Sequence, residues 1–205
     1  MTSHYPIGKK NPLVLASFSP RRKALLTQIG IPFEAVGSMV EETLYEGAEP
    51  LEIACKMAIR KAESVYHVCK NRWILGADTI VAMKKRIFGK PKDSRECHDM
   101  LLHLRGKNHR VITGFCILDP QGTSVHIETV TTKVKIKKLT EIEIGSYIKT
   151  GEPFGKAGAY AIQGIGSFMI EHVNGSYTNV VGLPICEVVD GLLQCGGLKG
   201  FPLAD

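Results

Sequence analysis

Three consecutive cations occupy the start of a predicted helix, where they could bind an anion. They are Arg21, Arg22 and Lys23, and they follow an N-cap serine, Ser19, and a proline at the first helical position. The helix dipole already places positive partial charge there, so each cation costs a few tenths of a kcal/mol to about 1 kcal/mol. A phosphate held by the backbone amides, Ser17 and the arginines would remove that conflict. The alternative is a frayed surface turn with solvated arginines.

Asp78 lies inside an almost continuous apolar segment, Trp73–Met83, which predicts a strand buried on both faces. A carboxylate in such a strand must be paired, hydrogen-bonded or bound to a metal. Gly76 beside it permits the close approach of a ligand or of another backbone. The alternative is a structural aspartate bonded to backbone amides or to a lysine. The cations elsewhere in the chain favour a functional carboxylate.

A glycine-rich segment, residues 151–166, supplies the third group of polar residues. Its glycines allow backbone amides to wrap an anion or a nucleotide, while Lys156 and Gln163 add a charge and an amide. Such a segment can equally be a plain loop, and the chain has neither a Walker-type nor a dinucleotide-binding glycine motif. Lys90 is a weak candidate by itself because turn lysines are usually solvated, and His109 receives no role.

Together these features suggest hydrolysis or transfer at a phosphoanhydride. They combine a helix start that attracts anions, a buried carboxylate among cations and a polar glycine-rich segment. Carboxylate oxygens are the protein ligands that Mg²⁺ prefers, and Glu42 and Asp78 are available to supply them.

The elements that position these residues alternate between strands and helices. Strands are predicted at 13–16, 32–36, 73–83, 110–118 and 124–139, with further strand pieces at 167–173 and 179–183. Helices are predicted after Pro20 and at 50–66, 94–104, 140–150 and 184–195. Lys61 lies on the border of the apolar face of 50–66, from which its ammonium could reach a cleft. We expect an α/β fold with a mixed sheet.

The bulk composition is ordinary for a globular protein and excludes several classes. Of 205 residues, 44% are hydrophobic and 22% are charged, and the net charge is +6. The densest run of lysines alternates with Val134 and Ile136, which is typical of a half-buried strand and not of a nucleic-acid surface. Six cysteines without a C-x-x-C pair, among them Cys116 and Cys186 in apolar contexts, predict core thiols in a reducing compartment. The chain lacks a signal peptide and a membrane-length apolar run, which predicts a cytoplasmic protein with no membrane partner.

Four blocks of sequence agree with the motifs of one known family. They are Leu15-Ala-Ser-x-Ser-Pro-Arg-Arg-Lys-x-Leu-Leu26, Gly76-Ala-Asp-Thr79 with Gly89-Lys-Pro91, Lys156-Ala-Gly-Ala-Tyr160-x-Ile-Gln-Gly164, and Asn174-Gly-Ser-Tyr-x-Asn-Val-Val-Gly-Leu-Pro184. On these blocks the chain resembles the Maf family of nucleotide pyrophosphatases. The blocks keep the family's order and cover residues 13 to about 190.

The resemblance implies a fold similar to that of the inosine-triphosphate pyrophosphatases. In that fold a long mixed sheet lies between two lobes around a cleft, so residues 1–205 would form a single domain with two lobes, often as a homodimer. The implied reaction cleaves a nucleoside triphosphate between its α- and β-phosphates with a divalent cation, Mg²⁺ or Mn²⁺. By position, Asp78 matches the catalytic acidic residue. The phosphate-binding start matches Ser17, Arg21 and Arg22, and polar cleft positions match Glu42, Lys61 and Lys90.

Three positions resemble the branch of the family that cleaves dTTP and UTP, and not the branch that acts on 7-methyl-GTP. They are Arg21, Thr79 and Gln163. A uracil or thymine edge needs a donor and an acceptor, which a glutamine amide can supply. Ala161 departs from the family's usual glycine, and it costs stability if that position needs a positive φ.

The resulting hypothesis is that Asp78 accepts a proton from the water that attacks the α-phosphorus. It would do so either directly or through a bound Mg²⁺, which Asp78 and Glu42 would position. The charge on the phosphates would be neutralised by four cations: Arg21, Arg22, Lys61 and Lys90. Which carboxylate is the base and which is the metal ligand stays open. So do two alternative functions. One is the same chemistry on 7-methyl-GTP or damaged pyrimidine nucleotides, and the other is a nucleotide-binding regulator of cell division without significant hydrolysis.

Overall fold

The computed structural model describes residues 5–40 and 48–203. The strands are β1 (Leu13–Leu15), β2 (Phe33–Ala35), β3 (Ile74–Met83), β4 (Arg86–Phe88), β5 (Asn108–Leu118), β6 (Ser124–Ile136) and β7 (Ile170–Asn174). The α-helices are α1 (Pro20–Gln28), α2 (Pro50–Tyr66), α3 (Ser94–Leu104), α4 (Glu141–Lys149), α5 (Tyr177–Val181) and α6 (Ile185–Gln194). Two short 3-10 helices span Ala157–Ala159 and Ile165–Met169.

The strands form a seven-stranded mixed sheet. Its order is β2-β1-β3-β5-β6-β7, and β4 pairs with β3 outside that path. β1 is parallel to β2 and β3, whereas β4 is antiparallel to β3 and β7 is antiparallel to β6. The predicted α/β class with a mixed sheet is therefore confirmed. None of the helices in the described ranges combines the length and the apolar character needed to cross a membrane.

The chain divides into two compact units. Unit 1 comprises Met1–Asp78, Thr113–Thr129 and Gly182–Asp205, and unit 2 comprises Thr79–Ile112 and Val130–Val181. Strands β3, β5 and β6 each belong partly to one unit and partly to the other, and β3 changes unit between Asp78 and Thr79. A single domain with two lobes stays a prediction.

In unit 1, helix α2 lies very close to the strands beneath it. A methyl group built on Gly76 would come within 2.3 Å of the Ala58 carbonyl oxygen, and one built on Gly114 would come within 2.5 Å of the Ala54 carbonyl oxygen. Only glycine allows such an approach in a close-packed interior. The contact holds the buried face of α2 on an apolar core that includes Val14, Ile74, Cys116 and Leu118.

Unit 2 has its own apolar core, to which α3 and α4 contribute buried residues such as Leu101, Leu104 and Ile144. Helix α4 begins with a capping box. Thr140 Oγ1 accepts from the Glu143 amide at 3.2 Å, and Glu143 Oε2 accepts from the Thr140 amide at 2.7 Å. Hydrogen bonds from Lys137 and from Thr140 lower the pKa of Glu143 to about 2. This reciprocal cap makes Thr140 the N-cap, so α4 begins at Glu141, one residue later than predicted.

The strand piece predicted at 179–183 is wrong, because Tyr177–Val181 forms the short helix α5. The valines there favour a strand, but hydrogen bonds determine the structure. Ser176 Oγ accepts from the Asn179 amide at 3.2 Å. The buried Asn179 amide group donates to the Val111 carbonyl at 3.0 Å and to Thr132 Oγ1 at 2.9 Å. The piece predicted at 167–173 begins only at Ile170, since a 3-10 helix precedes it.

Two further differences concern β4 and Cys186. Strand β4 was not predicted from the sequence, and it forms a hairpin with β3 through a turn where Lys84 has φ +53. That turn contains no glycine, asparagine or proline to signal it. Cys116 is buried as predicted, and Cys97 is buried too, but the prediction of core thiols is wrong for Cys186, which is exposed, and Cys55, Cys69 and Cys195 are only half-buried. The buried face of α6 is formed by Val188, Val189, Gly191 and Leu192. Cys186, half a turn before Val188, points away from that face.

Candidate active site

The start of α1 assembles hydrogen-bond donors in unit 1. Ser19 caps the helix by accepting from the Arg22 amide at 3.5 Å, and Pro20 opens it, which confirms the predicted start. Ser17 Oγ accepts two hydrogen bonds, one from the Ser19 amide and one from Arg22 Nη1, each at 3.2 Å. Because these bonds engage both lone pairs of the oxygen, the Ser17 hydroxyl is oriented to donate its own proton.

The two arginines of this turn differ in their surroundings. Arg22 is buried, and its Nε donates to the Gly182 carbonyl at 2.8 Å, so this side chain anchors the turn. Arg21 Nε is buried and has no hydrogen-bond partner within the described residues, and burial lowers the pKa of Arg21. The first turn of α1 contains no acidic residue. An acceptor-rich anion would satisfy the Arg21 donor and offset the charge.

Lys61 and Asp78 form a buried ion pair in the same unit. Lys61 Nζ lies 2.5 Å from Asp78 Oδ1, and the two side chains are only 9% and 12% exposed. Lys61, predicted at the border of the apolar face of α2, is buried, and the contact of α2 with Gly76 keeps it near β3. A lysine partner is one of the structural roles considered for Asp78. The second carboxylate oxygen, Oδ2, is the one that could accept a proton.

Ser17 and Asp78 both lie past the carboxyl end of β1. Strand β1 ends at Leu15, which pairs with Leu75 of the parallel strand β3. Ser17 follows two residues later, and β3 continues past that pairing to Asp78. In open α/β sheets, ligands bind outside the carboxyl ends of parallel strands. The edge that carries these two residues is therefore the expected ligand-binding edge of unit 1.

A separate cavity of about 940 Å³ lies at the other edge of the same strands. Its lining includes Asn11, Pro32 and Asn71, which precede β1, β2 and β3. None of the predicted site residues within 5–40 and 48–203 lines it. Its volume would hold a small molecule, but it is at the amino-terminal edge and away from the chemistry that the sequence predicts.

In unit 2, the segments that carry Thr79, Lys90 and Gln163 meet around Gly158. The Gly158 amide donates to the Gly89 carbonyl at 3.0 Å, next to Lys90. A methyl group on Gly158 would come within 2.9 Å of Val81 Cγ1, two residues along β3 from Thr79. Gly158 also has φ +72. Its backbone conformation and its contact with Val81 therefore both require glycine. Thr79 is half-buried, while Lys90 and Gln163 are exposed.

The predicted cost at Ala161 does not arise, because the positive φ lies elsewhere in this segment. Gly158 and Ala159 have φ of +72 and +59, whereas Ala161 is not among the residues with positive φ. The Ala161 amide donates to Tyr147 Oη at 3.2 Å. Alanine is thus compatible with its backbone at position 161, and any strain belongs to Ala159.

The described residues do not by themselves make a metal site. Within 5–40 and 48–203, no group of three or more His, Cys, Asp or Glu side chains could hold a metal ion. Asp78 offers a single carboxylate, and Lys61 already contacts one of its oxygens. Divalent cations take several oxygen ligands. Glu42, the second predicted ligand, lies outside the described residues.

Comparison with known proteins identifies the family. The profile of a family described as Maf-like protein matches residues 12–195. The chain belongs to the Maf-like protein family. Its Maf-like relatives include the dTTP/UTP pyrophosphatase of Syntrophotalea carbinolica, 49% identical over 191 residues, 92% of this chain and 87% of that one. The dTTP/UTP pyrophosphatase of Geotalea uraniireducens is 47% identical over 93% of this chain and 98% of its own. That of Geobacter sulfurreducens is 44% identical over 93% and 100%.

Two groups of hydrogen-bonded polar side chains in unit 2 of this Maf-like chain were not predicted from the sequence. His109 is 2% exposed, and its Nε2 lies 2.7 Å from Tyr160 Oη. Tyr147 and Glu152 form a second group, in which Tyr147 Oη donates to Glu152 Oε2 at 2.8 Å. The sequence shows these residues near the glycine-rich segment, but no spacing rule signals hydrogen bonds between a helix and a loop.

Proposed function

We propose that this chain hydrolyses dTTP and UTP to the nucleoside monophosphate and pyrophosphate. The observation that carries the proposal is the 44–49% identity, over most of the chain, to relatives named dTTP/UTP pyrophosphatase. Arg21, Thr79 and Gln163, which match that branch, support it from the sequence. Arg21 Nε, which has no partner among the residues that the structure describes, and the donating Ser17 hydroxyl are groups that a triphosphate would need.

In the proposed reaction Asp78 is the general base. Lys61 holds Oδ1 at 2.5 Å, which fixes the carboxylate and leaves Oδ2 to accept a proton from water. The oxygen of that water forms a bond to the α-phosphorus, and the bond to the bridging oxygen breaks, so pyrophosphate leaves with the electron pair. Ser17 and Arg21 donate hydrogen bonds to phosphate oxygens, and Arg22 and Lys61 of the same unit add positive charge.

We further propose a divalent-cation requirement, Mg²⁺ or Mn²⁺, on the resemblance alone, with Glu42 as a ligand and with Asp78 as a second ligand only in place of its role as direct base. Such an ion would neutralise charge on the phosphates. Chelation with EDTA should abolish turnover, and added Mg²⁺ should restore it. A homodimer and a cytoplasmic location are proposals of the same kind. The first is tested by light scattering of the purified chain, and the second by fractionation of cells that express it.

A panel of nucleoside triphosphates tests the proposed function. Pyrophosphate release is measured with dTTP, UTP, CTP, GTP, ATP and 7-methyl-GTP at equal concentrations. We expect kcat/KM for dTTP and UTP to exceed that for the others by about tenfold or more. A preference for 7-methyl-GTP would assign the chain to the other branch. Tight binding of nucleotides without turnover of any of them would favour the regulatory alternative.

A further inference from the structure

The Glu152 carboxylate in unit 2 binds three donors and is not part of the reaction proposed above. Its Oε1 accepts from the Ile165 amide at 2.9 Å. Its Oε2 accepts from the Gly166 amide at 2.7 Å and from Tyr147 Oη at 2.8 Å. Burial raises the pKa of Glu152, but these hydrogen bonds outweigh it and hold that pKa below its usual value. The charged carboxylate therefore caps the first two amides of the 3-10 helix Ile165–Met169, although Glu152 lies more than ten residues earlier in the chain.

Tyr147 extends this arrangement to the other end of the same segment. Its ring is 2% exposed and belongs to the unit 2 core, so the hydroxyl has a fixed position. That hydroxyl accepts from the Ala161 amide at 3.2 Å while it donates to Glu152. Lys156 Nζ donates to the Glu152 carbonyl and ties the beginning of the loop to the same residue. We call Tyr147 and Glu152 the clamp.

The clamp fits tightly around the backbone it holds. A methyl group on Gly164 would come within 2.3 Å of Glu152 Oε1, and Gly164 has φ +85. One on Gly166 would come within 2.6 Å of Tyr147 Oη. Glycine at these positions lets the carboxylate and the hydroxyl reach the amides. Gln163 stands between the two held positions, Ala161 and Ile165, with its side chain exposed.

We propose that Tyr147 and Glu152 are positioning residues that hold the backbone on both sides of Gln163, restrict the orientations its side-chain amide can present to a base, and thereby set the preference for uracil and thymine over cytosine. The inference rests on the proposed function. A uracil edge offers an acceptor oxygen and an N–H donor, whereas a cytosine edge offers an amino donor and an acceptor nitrogen. A glutamine amide that turns over can match either edge. The preference therefore depends on how far the orientation of the Gln163 side-chain amide is restricted.

The closing experiment compares Glu152→Gln and Tyr147→Phe with the wild type. Both variants keep the size of the side chain, but the first removes the charge and one acceptor, and the second removes only the hydroxyl. The matched control is Glu171→Gln, a glutamate of the same unit whose carboxylate pairs with Lys135 at 3.0 Å on the surface. The measured quantity is the ratio of kcat/KM for UTP to that for CTP, with folding checked by circular dichroism.

In each clamp variant we expect the UTP-to-CTP ratio to fall by about tenfold, while kcat for UTP changes less than its KM. Backbone amides at 161–166 should exchange with deuterium faster than in the wild type. Glu171→Gln should keep the wild-type ratio. An unchanged ratio in either folded variant would overturn the inference even though UTP is hydrolysed. If the wild type does not hydrolyse UTP at all, the proposed function fails instead.

Discussion

Asp78 has two roles: it forms an ion pair with the buried ammonium of Lys61, and in the proposed reaction it accepts the proton of the attacking water. Asp78→Asn should lower kcat by about 10²–10⁴-fold because the amide cannot accept the proton. It should also cost about 3 kcal/mol of the free energy of unfolding, since Lys61 is left as a buried charge without its carboxylate. Pyrophosphate release and urea denaturation measure the two effects separately.

The matched control is the double variant Lys61→Met with Asp78→Asn. Removing both charges should recover most of the lost stability, because a buried ion pair is often replaceable by neutral groups, but it should not recover turnover. An active Asp78→Asn enzyme would remove Asp78 from its role as base and leave the structural interpretation of the pair.

We expect the buried His109 side chain to make the free energy of unfolding depend on pH. Burial lowers its pKa to about 4 from the ordinary 6.5. Between those values the unfolded chain binds a proton that the folded chain does not, so the free energy of unfolding falls as the pH is lowered from 6.5 to 4. The total contribution is about 3 kcal/mol. Urea denaturation at a series of pH values measures it.

His109→Gln provides the comparison, because glutamine can still hydrogen-bond to Tyr160 but does not titrate. Carboxylates also titrate near pH 4, and they contribute equally to both proteins. The difference between the two stability curves between pH 4 and 6.5 therefore isolates His109. Parallel curves would mean that the histidine is not buried in the neutral form.

At the scale of elements, the contact between α2 and β3 places Lys61 beside Asp78. Gly76→Ala should cost about 2 kcal/mol or more, because the added methyl group would meet the Ala58 carbonyl oxygen at 2.3 Å and force the helix outward. Turnover should fall as well, since the displaced helix carries Lys61 away. Thermal unfolding and pyrophosphate release check both expectations.

Gly145 in α4 is the matched control, because a methyl group there meets nothing within 4 Å. Gly145→Ala should stabilise the protein by about 0.5–1 kcal/mol through better helix propensity. Two alanine substitutions at glycine should thus change stability in opposite directions. If Gly76→Ala changed the free energy of unfolding as little as Gly145→Ala does, α2 could move away from β3 without a loss of stability.

The sequence predicted the elements whose signals are local. Helix α2 occupies Pro50–Tyr66 and α3 occupies Ser94–Leu104, as predicted, because apolar periodicity and a clear start define each. Helix α5 could not be predicted in this way. Its residues favour a strand, and the bonds from Asn179 to Val111 and Thr132 that hold it join distant parts of the chain.

The candidate site follows the same division. The cap at Ser19 and the cationic first turn after it can be deduced from neighbouring residues. The border position of Lys61 can be deduced from helical periodicity. The specific partnership of Lys61 with Asp78 depends on how close α2 packs, which no local pattern gives. The clamp is still less predictable, because Glu152 acts on amides more than ten residues away.

For the whole molecule, we expect the two units to unfold together. Strands β3, β5 and β6 belong partly to each unit, so loss of one unit removes hydrogen-bonded strand from the other. Trp73, the only tryptophan, reports on unit 1. A variant with Trp73→Phe and Phe168→Trp reports on unit 2. For each protein, the tryptophan fluorescence midpoint in urea should coincide with the midpoint from circular dichroism. Separated midpoints would show that the units unfold independently.

The division of the chain also limits how genes of this family can recombine. The path passes between the units four times, after residues 78, 112, 129 and 181. A single crossover between two relatives therefore always mixes segments of unit 1, and a crossover within residues 79–181 also mixes segments of unit 2. A chimera that takes all of unit 2, with Thr79 and Gln163, from one relative and all of unit 1, with Asp78, from another needs four junctions, three of them inside strands. Substrate preference in this family is thus more accessible to point substitution than to exchange of gene segments.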